Sequence, residues 1–495
     1  MVGTAIRWHG FRLAAVFGLA AAVLLPAGAD AGQTGTRSRP ALTVIPHLTP
    51  SFAWKKRDYV IRCSRGRTRG RVKVPNGWQA KLGGSGFRSR NFARRIRTSP
   101  GARFTFVVRK SGRTAERKKS RRAFHVRCLP EDFAPYEFVR SRAGGPRLMF
   151  VQMKHHYATI FDRNGVPVWW YKASGFPDNA ELLPDETVAW APVDAASYRQ
   201  GDYEIRNLSG RFLRTVSAAG GLSIDVHELL LLPGGNYLTG AFRNQSGLDA
   251  TPFGGTIDAT VRGAEVQELR PDGSLAWSWN SEGRIGLAET GRWWDYVLTY
   301  TRPYDVVHWN SVERNGDRML MSFRHLDAVY EIDRASGEIL WKLGGTTTPE
   351  SLTVTGDPSR SYPLGGQHDA RRLPNGDVSI FDNETGLDKP PRVVRYRIDE
   401  NRGEAKLVQS FTDPEVPDSV CCGSARKLPS GDWLVGWGGV EPDGLVGSYD
   451  SKGRPVFRLW TPDSFSYRAH PITDRSPKMK RLRSAMDKIG GNDDG

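Results

Sequence analysis

The sequence predicts an all-β protein: a six-bladed β-propeller preceded by a small disulfide-closed β-sandwich. Three observations carry this. Two hairpin signatures alternate through the body of the chain at roughly 50–60 residues, the mark of a repeated four-stranded unit. Nearly all the excess positive charge sits in one short segment ahead of them, and Cys63 and Cys128 bracket that segment. The 495 residues are 39% hydrophobic and 25% charged, so the chain can bury sizeable cores and is not a disordered one. Four cysteines are too few for a disulfide-dense mini-scaffold.

Residues 1–31 read as a signal peptide. Arg7 and Arg12 flank the apolar run Leu13–Leu25, which is short for a membrane span, and Pro26 and small residues follow. An uncleaved anchor is the alternative. Either way the protein is expected to be secreted or extracytoplasmic. Residues 32–130 form the basic module. Between 32 and 128 there are 27 Lys/Arg and only two acids, Asp58 and Glu116, whereas the rest of the mature chain is mildly acidic. The net charge of +18 therefore does not describe a nucleic-acid binder as a whole. It describes a module able to contact an anionic cell surface, or else a solvated basic face, its arginines being scattered along strands. Alternating runs at Tyr59–Cys63, Phe104–Val108 and Phe124–Cys128 read as those strands. In an exported protein a Cys63–Cys128 disulfide is expected, while the adjacent Cys421 and Cys422 are either free or vicinally bonded.

Residues 131–470 are expected to form the propeller, and 471–495 a flexible tail. The first repeated hairpin has an Asp-x-x-Gly-like turn followed by an aromatic-rich strand. It occurs around Asp162, Asn207, Asp272, Asp333, Asp399 and Asp450. The second has a Pro-x-Gly-like turn, at Pro184, Pro233, Pro374 and Pro429, with a proline-free copy ending in Gly316. Tandem sandwiches are the rival architecture, which the alternation disfavours.

Eight residues before the second turn's glycine stand His227 (before Gly235), His308 (before Gly316) and His368 (before Gly376). A single such histidine is ordinarily a satisfied core residue. Three at one repeat position face one shared environment, and in a propeller that position converges on the central channel. Arg324, flanked by Met321, Phe323 and Leu326, is placed to turn inward with them.

The stretch 300–383 combines His-x-Asn-Ser, Ser-x-Arg-His, Gln-His-Asp-Ala-Arg-x-Leu-Pro-Asn-Gly and Phe-Asp-Asn. It closely resembles the bacterial-type arylsulfate sulfotransferases, over roughly residues 135–465. The resemblance implies an exported six-bladed propeller with an N-terminal β-rich domain. It implies transfer of a sulfuryl group from a phenolic sulfate donor to a phenolic acceptor, independent of a nucleotide donor and without cofactor or metal. By motif, His368 resembles the nucleophile that is transiently sulfated, His227 and His308 its flanking histidines, and Arg324 the sulfate-binding arginine. The family's late-blade hydroxyl would fall at Gly423, beside Ser424. A neutral imidazole suits such a two-step transfer as nucleophile and leaving group. Arginine and a protonated histidine suit the sulfuryl oxygens and the leaving phenolic oxygen. Trp293, Trp294, Tyr300 and Trp309 are candidates to stack on aryl groups. Three alternatives stay open: three histidines on a metal in a hydrolase, a quinone-dependent dehydrogenase propeller, and a non-catalytic binding propeller.

Overall fold

The repeated hairpins resolve into six sheets, each built on four antiparallel strands, that follow one another along the chain. The computed structural model describes residues 38–63, 66–194, 200–465, 467–473 and 477–490, and from Pro40 onward the chain forms one unit. The proposed signal peptide lies outside the described residues. Among the described residues no helix is long and apolar enough to cross a membrane.

The sheet of residues 176–216 shows the common plan. Its strands Phe176–Leu182, Thr187–Val193, Tyr203–Asn207 and Phe212–Val216 run up and down in sequence order. The same order recurs from Ser223 to Asn280, from Trp309 to Gly344, from His368 to Phe411 and from Ser424 to Thr461. The remaining sheet joins the two ends of the series. Ala469–Ile472 pairs with Leu148–Met153, which continues through Tyr157–Asp162 to Pro167–Lys172.

Both turn signatures follow from this plan. The Asp-x-x-Gly-like turn links the third and fourth strands of every sheet. Its carboxylate or amide oxygen accepts backbone N–H bonds two to four residues on, as Asp162 does from Asn164 and Val166 and Asn207 from Ser209 and Arg211. The Pro-x-Gly-like turn links the first and second strands. It occurs five times and not six because the sixth sheet takes its first strand from the far end of the chain. Inner strands such as Leu148–Met153 and Trp433–Trp437 are buried on both faces and read as near-continuous apolar runs, whereas outer ones such as Phe212–Val216 are largely exposed.

The basic module consists of two further sheets. Ala41–Ile45, Gly66–Lys73 and Phe92–Thr98 form one, and Asp58–Arg62, Arg122–Leu129, Arg103–Lys110 and Trp78–Leu82 the other. They enclose a core that includes Val44, Val72, Phe106 and Phe124, and within it a Cys63–Cys128 disulfide links the ends of the adjacent strands Asp58–Arg62 and Arg122–Leu129.

The expected flexible tail is in part a helix, Met479–Ile489. The reason is amphipathicity that a glycine- and aspartate-rich ending obscures. Leu482, Ala485 and Met486 are buried against the 148–172 strands. On its other side Arg483 donates to both Asp58 oxygens (2.7 and 2.6 Å), and Asp487 accepts from Arg127 (2.6 Å) and Arg103 (2.7 Å). The helix thus ties the basic module to the six-sheet body.

Candidate active site

The three repeat histidines occupy one structural position. Each lies on or just before the first strand of its sheet, at a break in register. The breaks fall between Asp225 and Leu229, at Trp309–Ser311 and between His368 and Arg371. Such irregularities re-aim side chains out of the regular alternation. His308 itself has φ +46°. The rings of His227 and His308 lie 5.0 Å apart, centroid to centroid.

His368 is 1% exposed and held at both nitrogens. Its Nδ1 lies 2.8 Å from Asn383 Oδ1, and its Nε2 accepts the Cys422 N–H at 3.1 Å. The Asn383 amide is oriented in turn by its Nδ2, which donates to Ser419 Oγ (2.7 Å) and to Cys422 O (3.1 Å). An amide so fixed presents its oxygen to the imidazole, so Nδ1 carries the proton and Nε2 the lone pair. Burial, and next the Arg324 guanidinium, push His368 well below the ordinary histidine pKa, against the opposing Asn383 bond. It is neutral.

The flanking histidines are tuned apart. Both have Nδ1 against a carboxylate: Asp225 for His227, and Asp305 Oδ2 at 2.6 Å for His308. Burial opposes charge on His227, yet Asp225 outweighs it and the pKa is raised. Burial lowers His308 despite Asp305, with His227 and Arg324 adding to the fall. Neighbouring titratable groups driven in opposite directions are the usual arrangement for an acid and a base.

Arg324 opens a short 3-10 turn and is 6% exposed. Its guanidinium lies over the Trp293 ring at 4.3 Å and near Tyr296 at 5.6 Å. Nη1 donates to His325 Nε2 (2.7 Å) and Nη2 to Val420 O (3.0 Å). Its Nε is buried with no partner among the described residues, leaving a donor for an anionic ligand.

Asp305, His308 and His325 offer donor atoms within 4.8 Å of one another, the one grouping of metal-ligand type among the described residues. The donor set does not fit a cation. The His325 Nε2 lone pair faces a guanidinium, and the other His325 nitrogen faces the Asp305 backbone carbonyl.

Four residues join the site that the repeat alignment did not reach. Asp178 stands eight residues before Glu186, which adopts φ +62° at a turn where the other copies have glycine. Burial raises Asp178 to about 6, with His227 acting against the rise. Tyr467 lies 6.0 Å from His227, ring to ring, and Arg468 follows it, just before the closing strand Ala469–Ile472. That strand has no second-type turn from which to count. Asn383 ends the Phe-Asp-Asn run, and nothing in its spacing marks its contact with His368.

Other residues singled out from the sequence serve mainly the structure. Ser424 Oγ donates to Ala469 O and accepts from Ala469 N, so it serves the closing strand. A side chain at Gly423 is excluded, because φ is +99° and a Cβ would stand 2.3 Å from the Phe381 ring. Cys421 and Cys422 are free thiols. Trp294 stacks on Phe253 at 4.7 Å and Trp309 is buried against Gly240, so both are packing residues. Trp293 lies beneath Arg324. The exposed aromatics here are Tyr300 (63%) and Tyr296 (41%), the latter not singled out from sequence.

Beneath the histidines is a buried ionic network. Arg371 pairs with Glu228 and with Asp369 (2.7 Å), Arg426 with Asp369 (2.7 Å), and Arg468 with Glu228 (3.4 Å). It links the first strands of four sheets around the position immediately following His368. A cavity of about 830 Å³ bounded by Tyr157, Lys172, Arg211 and Ile489 contains none of the site histidines.

A family model described as arylsulfotransferase (ASST) matches residues 139–456. No protein of curated function matches the sequence. Among solved structures, TolB from Acinetobacter baumannii is 12% identical, with 76% of this chain and 79% of that one covered and a TM-score of 0.39. A quinonprotein alcohol dehydrogenase-like protein from Bacteroides thetaiotaomicron is 8% identical (85% and 97% covered, TM-score 0.34). Apo AztD from Citrobacter koseri is 11% identical (65% and 96%, TM-score 0.32).

Proposed function

The chain belongs to the arylsulfotransferase family, and from that premise we propose that it moves a sulfuryl group from a phenolic sulfate ester to a phenolic acceptor in two steps through His368. The observation that carries this reading is the tautomer of His368: Nδ1–H directed at Asn383, and an unprotonated Nε2 on a neutral, buried ring.

In the first step Nε2 displaces the Cys422 N–H and attacks sulfur. The N–S bond forms, the S–O(aryl) bond breaks, and its electron pair leaves on the phenolic oxygen. His227, with its raised pKa, gives that oxygen a proton. Arg324 Nε and the freed Cys422 N–H serve as donors to the sulfuryl oxygens, whose charge persists throughout. In the second step the acceptor hydroxyl attacks sulfur and the N–S pair returns to Nε2. His308, the lowered histidine, takes the hydroxyl proton, and its passage to His227, 5.0 Å away, resets the pair. Tyr296 and Tyr300, exposed beside the Arg324–Trp293 stack, suit the aryl ring of either substrate.

We read the six sheets as the blades of a propeller whose first strands line the channel holding this site, and the basic module as a small sandwich closed by its disulfide. Export fits that disulfide and the apolar N-terminal run. The test is release of nitrophenol from 4-nitrophenyl sulfate, with and without phenol, by wild type and His368→Asn. The proposal expects phenol-dependent release that disappears in the variant. Release independent of phenol would make the protein a hydrolase, and equal release by the variant would remove His368 from the reaction.

A further inference from the structure

The chemistry above leaves the positive charge of the N-terminal module unused, and the fold sorts that charge onto one surface. In Gly66–Lys73 the side chains alternate strictly. Thr68, Gly70 and Val72 face the module core, and Arg67, Arg69, Arg71 and Lys73 are exposed. The neighbouring strand Phe92–Thr98 exposes Arg95 and Arg97. The register sets Arg67 directly opposite Arg97 and Arg69 directly opposite Arg95. Paired residues share a face, so six cations form one plate. Like charges directly opposite destabilise a sheet. Neither acid of the module relieves them: Asp58 is paired with Arg483, and Glu116 lies on the Thr114–Ser120 helix. Among the described residues none of the six makes an ion pair.

We infer that this plate is a binding site for a linear anionic polysaccharide, laid along the Gly66–Lys73 strand. Alternate residues on a strand stand about 7 Å apart, so the four cations of that strand form a row about 20 Å long, with Arg95 and Arg97 as a second row beside it. A row matches a chain of spaced charges. Five of the six are arginines, whose planar forks bind sulfate, phosphate or carboxylate in a bidentate manner. A bilayer is a poorer partner, because interfacial binding buries apolar side chains and Ile45 is the one large apolar residue exposed in the described module. Nucleic acid is poorer too. The plate exposes no aromatic ring for bases to stack on, and a disulfide-bonded module belongs to an oxidising space.

The experiment measures binding of the full chain to dextran sulfate, with uncharged dextran as control, at several salt concentrations. The sheet variant Arg67→Gln/Arg69→Gln/Arg97→Gln is compared with Arg117→Gln/Lys118→Gln/Lys119→Gln on the Thr114–Ser120 helix, which carries the same charge change. The sheet variant is expected to bind at least about tenfold more weakly, with its log–log salt slope reduced to about half, since three of six cations are gone. The helix variant stays within about twofold of wild type. The free sheet variant also melts higher than wild type at low salt, because two opposed arginine pairs are relieved, and the difference closes at high salt. Equal weakening by both variants would reduce the effect to net charge and overturn the site. Unchanged binding by the sheet variant would overturn it as well. Capture by phosphatidylglycerol vesicles that dextran sulfate fails to displace would overturn it in favour of a membrane contact.

Discussion

Asn383 is a positioning residue whose removal has a calculable effect. In the native site the Nδ1–H tautomer of His368 has two matched hydrogen bonds, one to Asn383 Oδ1 at 2.8 Å and one from the Cys422 N–H at 3.1 Å. The opposite tautomer faces lone pair to lone pair at one nitrogen and N–H to N–H at the other. At about 1–1.5 kcal/mol for each bond, the reactive tautomer is favoured by about 2–3 kcal/mol. Asn383→Leu removes one of the two bonds and strands Nδ1–H in a buried site. At 1.36 kcal/mol per factor of ten, the loss of that one bond should lower kcat for aryl sulfate turnover about 5- to 13-fold, with KM little changed. Asn383→Asp gives a different signature. A carboxylate against Nδ1–H favours the imidazolium, so His368 needs higher pH to become nucleophilic, and a neighbouring opposite charge moves a pKa by about 1–3 units. The acid limb of the kcat profile should rise by that amount, with activity recovered on the alkaline side. The assay is steady-state nitrophenol release across pH for wild type and both variants. Wild-type kcat in Asn383→Leu, or an unmoved acid limb in Asn383→Asp, would refute the tautomer argument.

Four further outcomes are expected. His125, pushed down to about 4 by burial and then by Arg483, lies on the module face that meets the C-terminal helix. Its folded pKa is below its unfolded value of 6.5. Its contribution to stability is therefore complete above about pH 6.5 and is lost as pH falls toward about 4, and thermal melts of His125→Gln should lose part of that acid sensitivity. Met486→Ala should cost about 2–5 kcal/mol in a denaturant titration, because Met486 is 1% exposed in the contact of the helix with the 148–172 strands. Gly423→Ala should lower both the melting temperature and kcat, since the Cβ strikes Phe381 and displaces the adjacent Cys422 N–H. Tyr296→Ala should raise KM for aryl donors several-fold with a smaller change in kcat, the stacking of one ring being about 0.5–1.5 kcal/mol.

The sheets were legible in the sequence because both turns are chemical necessities. An Asx turn needs its aspartate or asparagine, and most of the second-type turns need a residue free to adopt positive φ. The same dependence explains what was missed. Glu186 takes the left-handed conformation without being glycine, so counting back from glycines passed over Asp178. Tyr467 and Arg468 immediately precede a strand, Ala469–Ile472, whose turn partner is at the other end of the chain. Asn383 acts through side-chain contacts that no periodicity encodes. Trp294 and Trp309 are packing residues that sequence alone does not separate from stacking candidates, because bulk and aromaticity serve inter-strand packing as well as a binding face. The C-terminal helix was hidden by composition, its three buried residues being few among six charged or polar ones.

Trapping the covalent intermediate tests the central claim most directly. The protein is mixed with 4-nitrophenyl sulfate in the absence of phenol, quenched in alkali, and its intact mass and peptides are measured. The account predicts a gain of one SO₃ group, located on His368, that is discharged on adding phenol and absent in His368→Asn. A modified residue other than His368, or acceptor-dependent turnover with no mass gain at any time point, would contradict it.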